Sequence, residues 1–322
     1  MQTRPLGTSS IQITPIVMGT WQAGKRGWVG VEDDQVMAAM RAAFEAGVTT
    51  FDTAEIYGNG YSEELVGKAL SDVRDRVIYM TKVFPTHLKY QEILDACDNS
   101  LRRLQTDYID LYQIHWPAGN FNSDLVPISE SMRAMVKLKE DGKIGAIGVS
   151  NFSRSQLEEA AQYGPIDSLQ PPYSLFWRHV ETDAMPYCVE HNMTILAYSP
   201  MAQGLLTGKF GPDHKFEEGD VRASNKLFQP GNYDRAQAAL DRLRPIAAKY
   251  DITLAQLSLA WLMGQPQTCV IAGARNAEQA SQNAIAATVQ LEERDRAEMD
   301  AIGHRVFDHL EDDNPVMWSF AS

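Results

Sequence analysis

The sequence predicts an α/β fold, a closed (β/α)8 barrel of parallel strands. Eight runs of apolar or β-branched residues alternate with helical patterns over most of the 322 residues, and this alternation is typical of a parallel sheet with right-handed crossovers. An open doubly wound sheet fits the same alternation, but the number of strands favours the barrel. Because no linker or change in composition marks a boundary, we expect residues 1–322 to form one domain.

The elements are expected in a regular order. Residues 4–7 and 11–15 are extended pieces around a Thr-Ser-Ser turn and predict an N-terminal β-hairpin. The predicted barrel strands are 16–19, 49–52, 77–82, 108–115, 144–150, 166–170, 194–199 and 269–272. The main predicted helices are 35–46, 63–71, 91–104, 125–141, 155–163, 183–191 and 233–264, the last broken near Asp251. A long polar loop over 205–232, after the seventh strand, and a C-terminal helix over 292–303 with an acidic tail lie outside the repeat.

Composition excludes several classes of function. The net charge of −13 argues against nucleic acid and against an anionic membrane surface as partners, since both attract basic surfaces. The three cysteines are far apart and odd in number, which predicts neither a disulfide framework nor a metal site. The sequence shows no membrane-spanning apolar run and no signal peptide, so we expect a cytoplasmic protein.

Ionisable residues end three consecutive predicted strands. Asp52 ends the second strand, Lys82 the third and His115 the fourth, and Tyr57 lies in the turn after Asp52. Active sites of such barrels are built at the carboxyl ends of the strands, so these side chains are expected to share one mouth. Each has an ordinary alternative: a turn-capping Asp, a packed Tyr, a surface Lys or a structural His. Their joint placement favours a catalytic site.

These residue types suit proton transfer. A phenol is a poor acid at neutral pH, and a nearby ammonium favours the phenolate, so Lys82 is expected to lower the pKa of Tyr57. Asp52 would keep Lys82 charged in an apolar barrel. His115 would orient a carbonyl oxygen and help to supply a hydrogen bond or proton. No metal site is expected, because no second His or Cys lies nearby.

Four motifs carry a family resemblance. Asp-Thr-Ala-Glu-Ile-Tyr-Gly at 52–58, Thr-Lys at 81–82, Asp-Leu-Tyr-Gln-Ile-His-Trp-Pro at 110–117 and Gly-Val-Ser-Asn-Phe at 148–152 resemble the aldo-keto reductase superfamily. The run at 197–209 resembles the branch with bacterial general reductases and potassium-channel β subunits. The match extends in order from Leu6 to Asn283. It implies a (β/α)8 TIM barrel, a nicotinamide cofactor and a catalytic tetrad of Asp52, Tyr57, Lys82 and His115.

The resemblance also implies where the dinucleotide lies. It places the carboxamide on Ser150, Asn151 and Gln170 and the nicotinamide ring against Tyr198; from the residues alone, Ser150 and Asn151 could instead cap the following helix. The further contacts that it implies are Gly19, Thr20, Trp21, Asp52, Ser199, Pro200, Met201, Ala202, Gly204, Gly273, Gln279, Gln282 and Asn283.

A guanidinium at a helix start suits a phosphate, so Arg275 is our candidate for the 2′-phosphate, and NADP(H) is expected in preference to NAD(H). Gly273 and Gln279 stand where relatives often have a lysine and an arginine, which weakens this selectivity. Lys209 and Arg222 could fold over the pyrophosphate or could simply be solvated.

The expected substrate is a small carbonyl compound, in a pocket lined by Trp21, Trp28 and Trp116. The expected reaction is NADPH-dependent reduction of aldehydes or ketones to alcohols, with Tyr57 as general acid. A cofactor-sensing regulatory protein of the channel β-subunit type, with little turnover, is the alternative. A Schiff-base aldolase using Lys82 is a third reading, which the neighbouring Asp52 disfavours because a charged lysine is a weak nucleophile.

Overall fold

A closed barrel of eight parallel strands forms the centre of the protein. The computed structural model describes residues 1–25, 30–218, 220–310 and 317. Its barrel strands are β3 (Ile16–Gly19), β4 (Thr50–Asp52), β5 (Ile78–Val83), β6 (Ile109–Ile114), β7 (Ile144–Ser150), β8 (Ser168–Gln170), β9 (Thr194–Ala197) and β10 (Thr268–Gly273). They pair in chain order, and β10 closes the ring against β3. The predicted (β/α)8 barrel is confirmed.

The N-terminal hairpin, β1 (Arg4–Pro5) with β2 (Gln12–Ile13), closes the bottom of the barrel. Leu6 and Ile13, on either side of its turn, belong to a fully buried apolar cluster with interior residues of the barrel such as Leu111 and Leu196. Burial of this apolar surface stabilises the closed end of the barrel. The opposite end, where the carboxyl ends of the strands lie, is the end at which such barrels build their active sites.

Helices surround the barrel. They are α1 (Asp33–Glu45), α2 (Tyr61–Leu70), α3 (Tyr90–Leu104), α4 (Ile128–Glu140), α5 (Arg154–Ala160), α6 (Ala184–Glu190), α7 (Asn232–Lys249), α8 (Leu254–Met263), α9 (Ala277–Ile285) and α10 (Glu293–Phe307). The predicted break near Asp251 is confirmed, since Asp251 has φ 54° between α7 and α8. Among the described residues, no helix combines the length and apolar character needed to span a bilayer.

Several predicted boundaries shift for local reasons. The strand expected over 166–170 begins at Ser168, and the side chain of the preceding Asp167 accepts a bond from the Ile147 N–H at 3.1 Å. The helix expected to begin near residue 125 begins at Ile128, directly after Pro127. The helix after β7 is capped by Ser153, which forms a reciprocal capping box with Gln156.

The interior of the barrel is layered. Met80, Leu111 and Ala146 form part of its apolar lower layer. Two residues further along the same strands lie Lys82, Gln113 and Gly148, which are aligned by the parallel register. Because side chains alternate along a strand, this step of two keeps the side chains on the inner face. The upper layer, at the carboxyl ends, is therefore polar.

Candidate active site

Lys82 forms a buried hydrogen-bonded centre with Asp52 and Tyr57. Its Nζ donates to Asp52 Oδ1 at 2.6 Å, to the Thr53 carbonyl at 2.7 Å and to the Tyr57 hydroxyl at 3.5 Å. The three acceptors match the three N–H groups of an ammonium. The Lys82 and Asp52 side chains are 0% and 3% exposed, so the ion pair is shielded from water.

The protonation states of this centre follow from burial. Burial lowers the pKa of Lys82, and the Asp52 charge opposes that effect. Burial raises the pKa of the Tyr57 phenol well above its usual value, and the Asp52 charge adds to the rise. The expectation of a lowered Tyr57 pKa is therefore wrong for this arrangement: burial and the Asp52 charge outweigh the effect of the neighbouring Lys82 ammonium, and Tyr57 holds its proton.

His115 lies beside Tyr57 at the end of β6. The two rings are 5.7 Å apart and nearly perpendicular. Burial, and then the Lys82 charge, lower the pKa of His115 well below its usual value, so its imidazole is neutral. His115 Nδ1 is buried without a hydrogen-bond partner among the described residues, and such an orphaned polar atom at a mouth is suited to a ligand.

A network of hydroxyl groups supports this centre from behind. The Thr20 hydroxyl donates to the Asp52 carbonyl at 2.9 Å, and the Thr53 hydroxyl donates to Ser62 Oγ at 2.9 Å. Ser62, in the first turn of α2, also binds the Tyr57 carbonyl through its own N–H at 3.2 Å. The turn from Asp52 to Tyr57 is thus fixed at both ends.

Two glycines allow the loop after β3 to touch the Tyr57 turn. A Cβ at Gly24 would lie 2.6 Å from the Tyr57 carbonyl carbon, and one at Gly58 would lie 2.6 Å from the Gly24 oxygen. Gly58 also has φ +64°, a conformation that disfavours side chains. This close approach brings Trp21 to 6.4 Å from the Tyr57 ring.

Aromatic side chains line the mouth next to His115. Phe84 packs edge-on against His115 at 5.8 Å and contacts Phe121 at 5.1 Å, and Phe121 contacts Trp116 at 5.3 Å. Trp28, the other predicted pocket residue, lies outside the described residues. Phe84 and Phe121 were missed from sequence; Phe84 could have been found, because it follows Lys82 by two residues and so continues the inner face of β5.

The residues expected to hold the carboxamide are brought together. Asn151, with φ +61°, donates to Ser150 Oγ at 2.9 Å and to the His115 carbonyl at 3.1 Å. Ser150 Oγ donates to the Gln170 carbonyl at 2.7 Å, and the Tyr198 hydroxyl donates to Asn151 Oδ1 at 2.9 Å. Since Ser153 is the helix cap, the capping alternative for Ser150 and Asn151 is wrong.

The turn after β9 is unusual in its backbone. Ser199, Ala202, Gln203 and Gly204 have positive φ values of 51°, 48°, 55° and 98°. Pro200 is buried and Met201 half-buried within it. Turns that mix left-handed and right-handed residues present backbone N–H groups to anions, so this segment suits a pyrophosphate.

The residues after β10 have distinct partners. Gln279 Oε1 accepts the Arg275 N–H at 2.9 Å, and Asn283 Nδ2 donates to the Gly273 carbonyl at 3.2 Å. The side chain of Gln282 instead accepts a bond from Gln256 on α8 at 2.9 Å. Gln279 and Asn283 thus bind the end of β10, whereas Gln282 bridges two helices.

Within the long loop, Arg222 is held by its own surroundings. Asp220 binds its Nε at 2.9 Å and its Nη2 at 2.5 Å, and the guanidinium lies over Phe216 at 4.9 Å. Burial, and then the Arg222 charge, lower the pKa of Arg275, and the Asp220 charge opposes this shift. Lys209 is exposed.

Gly19 and Thr20 lie beside this centre, since Gly19 pairs in register with both Asp52 and Gly273. At the carboxyl ends of the strands, Asp52, Tyr57, Lys82 and His115 form a candidate proton-transfer centre, and Ser150, Asn151, Gln170 and Tyr198 form a candidate amide-binding corner. Arg275 follows β10, whereas Arg222 lies in the loop after β9 and Gln282 bridges two helices. Sequence reasoning missed Gln113 and Ser62 as supporting residues.

Comparison with known proteins places the chain in a family. A sequence profile of the Aldo/keto reductase family matches residues 15–304. The Aldo-keto reductase YhdN of Bacillus subtilis (strain 168) is 38% identical over 277 residues, covering 83% of this chain and 82% of that protein. The NADH-specific methylglyoxal reductase of Escherichia coli (strain K12) is 32% identical over 317 residues, covering 92% of this chain and 96% of that protein.

Solved structures agree. The glycerol dehydrogenase AKR11B4 from Gluconobacter oxydans superposes with a TM-score of 0.88 at 33% identity, covering 97% of this chain and 98% of that one. An aldo/keto reductase from Klebsiella pneumoniae in complex with NADP and acetate has a TM-score of 0.73 at 32% identity, and 96% of each chain is covered. The chain belongs to the aldo/keto reductase family and is an oxidoreductase of that family.

Proposed function

We propose that this member of the aldo/keto reductase family reduces small aldehydes and ketones with NADP(H), and that Tyr57 protonates the carbonyl oxygen. One observation carries the proposal. The Tyr57 hydroxyl accepts a bond from Lys82 at 3.5 Å and donates to no group among the described residues. Its proton is therefore available to a ligand at the mouth, next to the orphaned Nδ1 of His115.

The chain fits the cofactor at each of its parts. Ser150, Asn151 and Gln170 supply polar groups for a carboxamide, and the half-buried ring of Tyr198 supplies an aromatic face. When bound, the nicotinamide supplies the hydride. The chain's own residues orient the carbonyl, exclude water and provide the proton.

The 2′-phosphate is assigned to Arg275. Arg275 follows β10 and Arg222 lies in the long loop after β9, and the Arg222 charge lowers the pKa of Arg275. A phosphate bound to Arg275 would offset the effect of that neighbouring positive charge. Asp220 already neutralises part of the charge of Arg222, so NADP(H) is preferred over NAD(H) without excluding it. The NADP complex of the Klebsiella relative supports this preference. The NADH-specific Escherichia relative shows that proteins similar to this chain can also use NADH.

Three observations support a reductase, and the first of them disfavours the Schiff-base aldolase; turnover is what separates the reductase from a cofactor-sensing protein. The Lys82 ammonium is fully hydrogen-bonded to Asp52, Thr53 and Tyr57, which leaves no free amine for a Schiff base. The aromatic cleft of Phe84, Phe121 and Trp116 adjoins His115, as a substrate wall should. The proton donor and its supporting network are complete.

The test follows NADPH absorbance with a panel of carbonyl compounds that includes 4-nitrobenzaldehyde and methylglyoxal. We expect turnover, and a loss of about 10²–10⁴-fold in kcat for Tyr57→Phe, the range for removal of a general acid. The matched control is Tyr112→Phe, since the Tyr112 hydroxyl is buried and accepts or donates no hydrogen bond among the described residues. Tight NADP⁺ binding without turnover of any compound would contradict the enzyme and favour a cofactor-sensing protein.

The assignment of Arg275 is tested separately by calorimetry. For Arg275→Ala, we expect the Kd for NADP⁺ to rise about 10-fold or more, with little change for NAD⁺, because a charged hydrogen bond to phosphate contributes about 1.5–3 kcal/mol. Arg242→Ala, at an exposed position on α7, is the control. Unchanged discrimination between the two dinucleotides would remove Arg275 from this role.

A further inference from the structure

A second amide shares the Asp52 carboxylate with Gln170. Asp52 Oδ2 lies 3.3 Å from Gln113 Nε2 and 3.1 Å from Gln170 Nε2, and Gln170 Nε2 is also 3.2 Å from Gln113 Oε1. Asp52, Gln113 and Gln170 are 2%, 0% and 3% exposed. The three side chains come from different strands and meet inside the barrel.

The carboxylate fixes the orientation of both amides. An ionised carboxylate only accepts hydrogen bonds, so each glutamine must turn its NH₂ group toward Asp52. Gln170 then donates its second N–H to the Gln113 oxygen. Its own Oε1 is the side-chain polar atom that remains for another partner. Gln113 is thus a donor to the proton-transfer centre and an acceptor from the amide-binding corner.

We propose that Gln113 is a positioning residue for the reaction: as a neutral donor it holds Asp52 Oδ2, so that Oδ1 stays on Lys82, and it couples this centre to Gln170. The inference rests on the proposed function, because it concerns the support of the Tyr57 proton donor. Gly148 supports it sterically, since a Cβ at that position would lie 2.9 Å from Gln113 Cγ. Gly148 therefore leaves room both for Gln113 and for the Ser168 hydroxyl oxygen, which would lie 2.4 Å from the same Cβ.

The positioning role requires the side chain at position 113 to be uncharged, and this requirement can be tested. The titratable groups around residue 113 are Asp52 on β4, Lys82 on β5, Tyr57 in the turn after β4 and His115 after β6. A carboxylate in place of Gln113 would face the Asp52 carboxylate at hydrogen-bond distance. Two such groups cannot both ionise, so the pair would hold one proton until high pH.

The variants are Gln113→Glu and Gln113→Met, with Tyr112→Phe as the control on the outer face of the same strand. Gln113→Met removes the hydrogen bonds to Asp52 and from Gln170 while keeping a side chain of similar size. We expect kcat to fall about 10-fold while the KM for the carbonyl substrate changes less than about 3-fold. At low pH, the protonated carboxyl introduced by Gln113→Glu donates to Asp52 and accepts from Gln170, as the native amide does. We therefore expect Gln113→Glu to keep kcat within about 3-fold of wild type near pH 6 and to lose about 10-fold by about pH 9.

A second readout needs no turnover. In the nucleotide-free protein, the folded state of Gln113→Glu binds more protons than the unfolded state above the ordinary titration range of glutamate, so its thermal midpoint should fall as pH rises through the same window. Wild type, Gln113→Met and Tyr112→Phe should lack this slope. The Kd for NADP⁺ is measured in parallel, and we expect Gln113→Met to weaken binding about 3-fold through Gln170.

The outcomes separate the two proposals. Wild-type kcat in Gln113→Met, or a pH profile of Gln113→Glu that overlays wild type, would overturn the positioning role. A lower thermal midpoint with kcat and pH profile unchanged would show a structural role only, and would also overturn it. If wild type consumes no NADPH, the proposed function fails, and the pH slope of Gln113→Glu still tests the contact with Asp52. If Gln113→Met does not fold, the pH profile of kcat for Gln113→Glu decides the matter: a loss at high pH that wild type lacks supports the positioning role, and its absence overturns it.

Discussion

The replacement Asp52→Asn tests the charge balance of the buried centre. Asparagine keeps the shape of the side chain but leaves the Lys82 ammonium without its partner at 2.6 Å, in a position where Lys82 is 0% exposed. Breaking a buried ion pair costs about 3–5 kcal/mol, because the remaining charge is uncompensated. At about 2 °C per kcal/mol for a chain of this size, the thermal midpoint near pH 7 should fall by roughly 6–10 °C.

The pH dependence of the loss identifies its cause. Burial already lowers the pKa of Lys82, and Asp52 opposes this; without Asp52 the pKa falls further. Between that folded value and the unfolded value of about 10.4, the unfolded state binds more protons, so the stability of Asp52→Asn should rise with pH. Lys82 then deprotonates in the folded protein, and the penalty disappears.

The assay is the thermal midpoint of wild type and variants from pH 6 to pH 10. The double variant Asp52→Asn with Lys82→Met should recover most of the loss, since a buried pair replaced by neutral groups costs little. Glu158→Gln, which breaks the exposed pair with Arg154, should change the thermal midpoint little, because solvent screens an exposed pair. A midpoint of Asp52→Asn within about 2 °C of wild type, or a loss that does not shrink with rising pH, would refute the reasoning.

Three further predictions concern the mouth. The pKa of His115 is held well below its usual value, so its imidazole is neutral and we expect kcat to stay flat between pH 6 and pH 8. A change of kcat in that range that is present in wild type and absent in His115→Asn would contradict the neutral imidazole. Gly24→Ala should lower kcat at least about 10-fold with little change in the Kd for NADP⁺, because its Cβ would displace the Tyr57 backbone; an equal loss in both would argue against this local effect. Phe121→Ala should raise the KM for aromatic aldehydes about 10-fold more than for methylglyoxal, as expected for the loss of an aromatic contact; equal changes for both substrates would place Phe121 outside the pocket.

The sequence predicted what depends on periodicity and spacing. Lys82 and His115 could be placed at one mouth because each ends a strand, and parallel strands of a barrel end together. The break between α7 and α8 was predictable from the polar turn at Asp251. These features need only local pattern and topology.

What could not be predicted depends on side-chain orientation and on charge compensation. Gln113 reads as one polar residue in an apolar strand, and only the register with Lys82 and the position of Gln170 across the barrel reveal its role. The sign of the Tyr57 pKa shift was missed because it depends on burial and on how completely Asp52 pairs with Lys82. The engagement of Arg222 by Asp220 was equally invisible, since a loop carries no periodic signal.

Charge conservation inside the barrel connects these findings to the proposed reaction. Before reaction, Asp52 and Lys82 cancel, and Tyr57 and His115 are both neutral. Reduction of a carbonyl would leave an alkoxide at a buried site, and an unpaired buried charge is costly. If Tyr57 gives up its proton, the negative charge moves to a phenolate whose oxygen already accepts a bond from the Lys82 ammonium at 3.5 Å. The high pKa of the phenol then retains the proton until a stronger base forms beside it, and the ammonium limits the cost of releasing it. Because burial raises the pKa of Tyr57, the phenol still carries its proton when the alkoxide forms, which is compatible with Tyr57 as the acid of the proposed reaction.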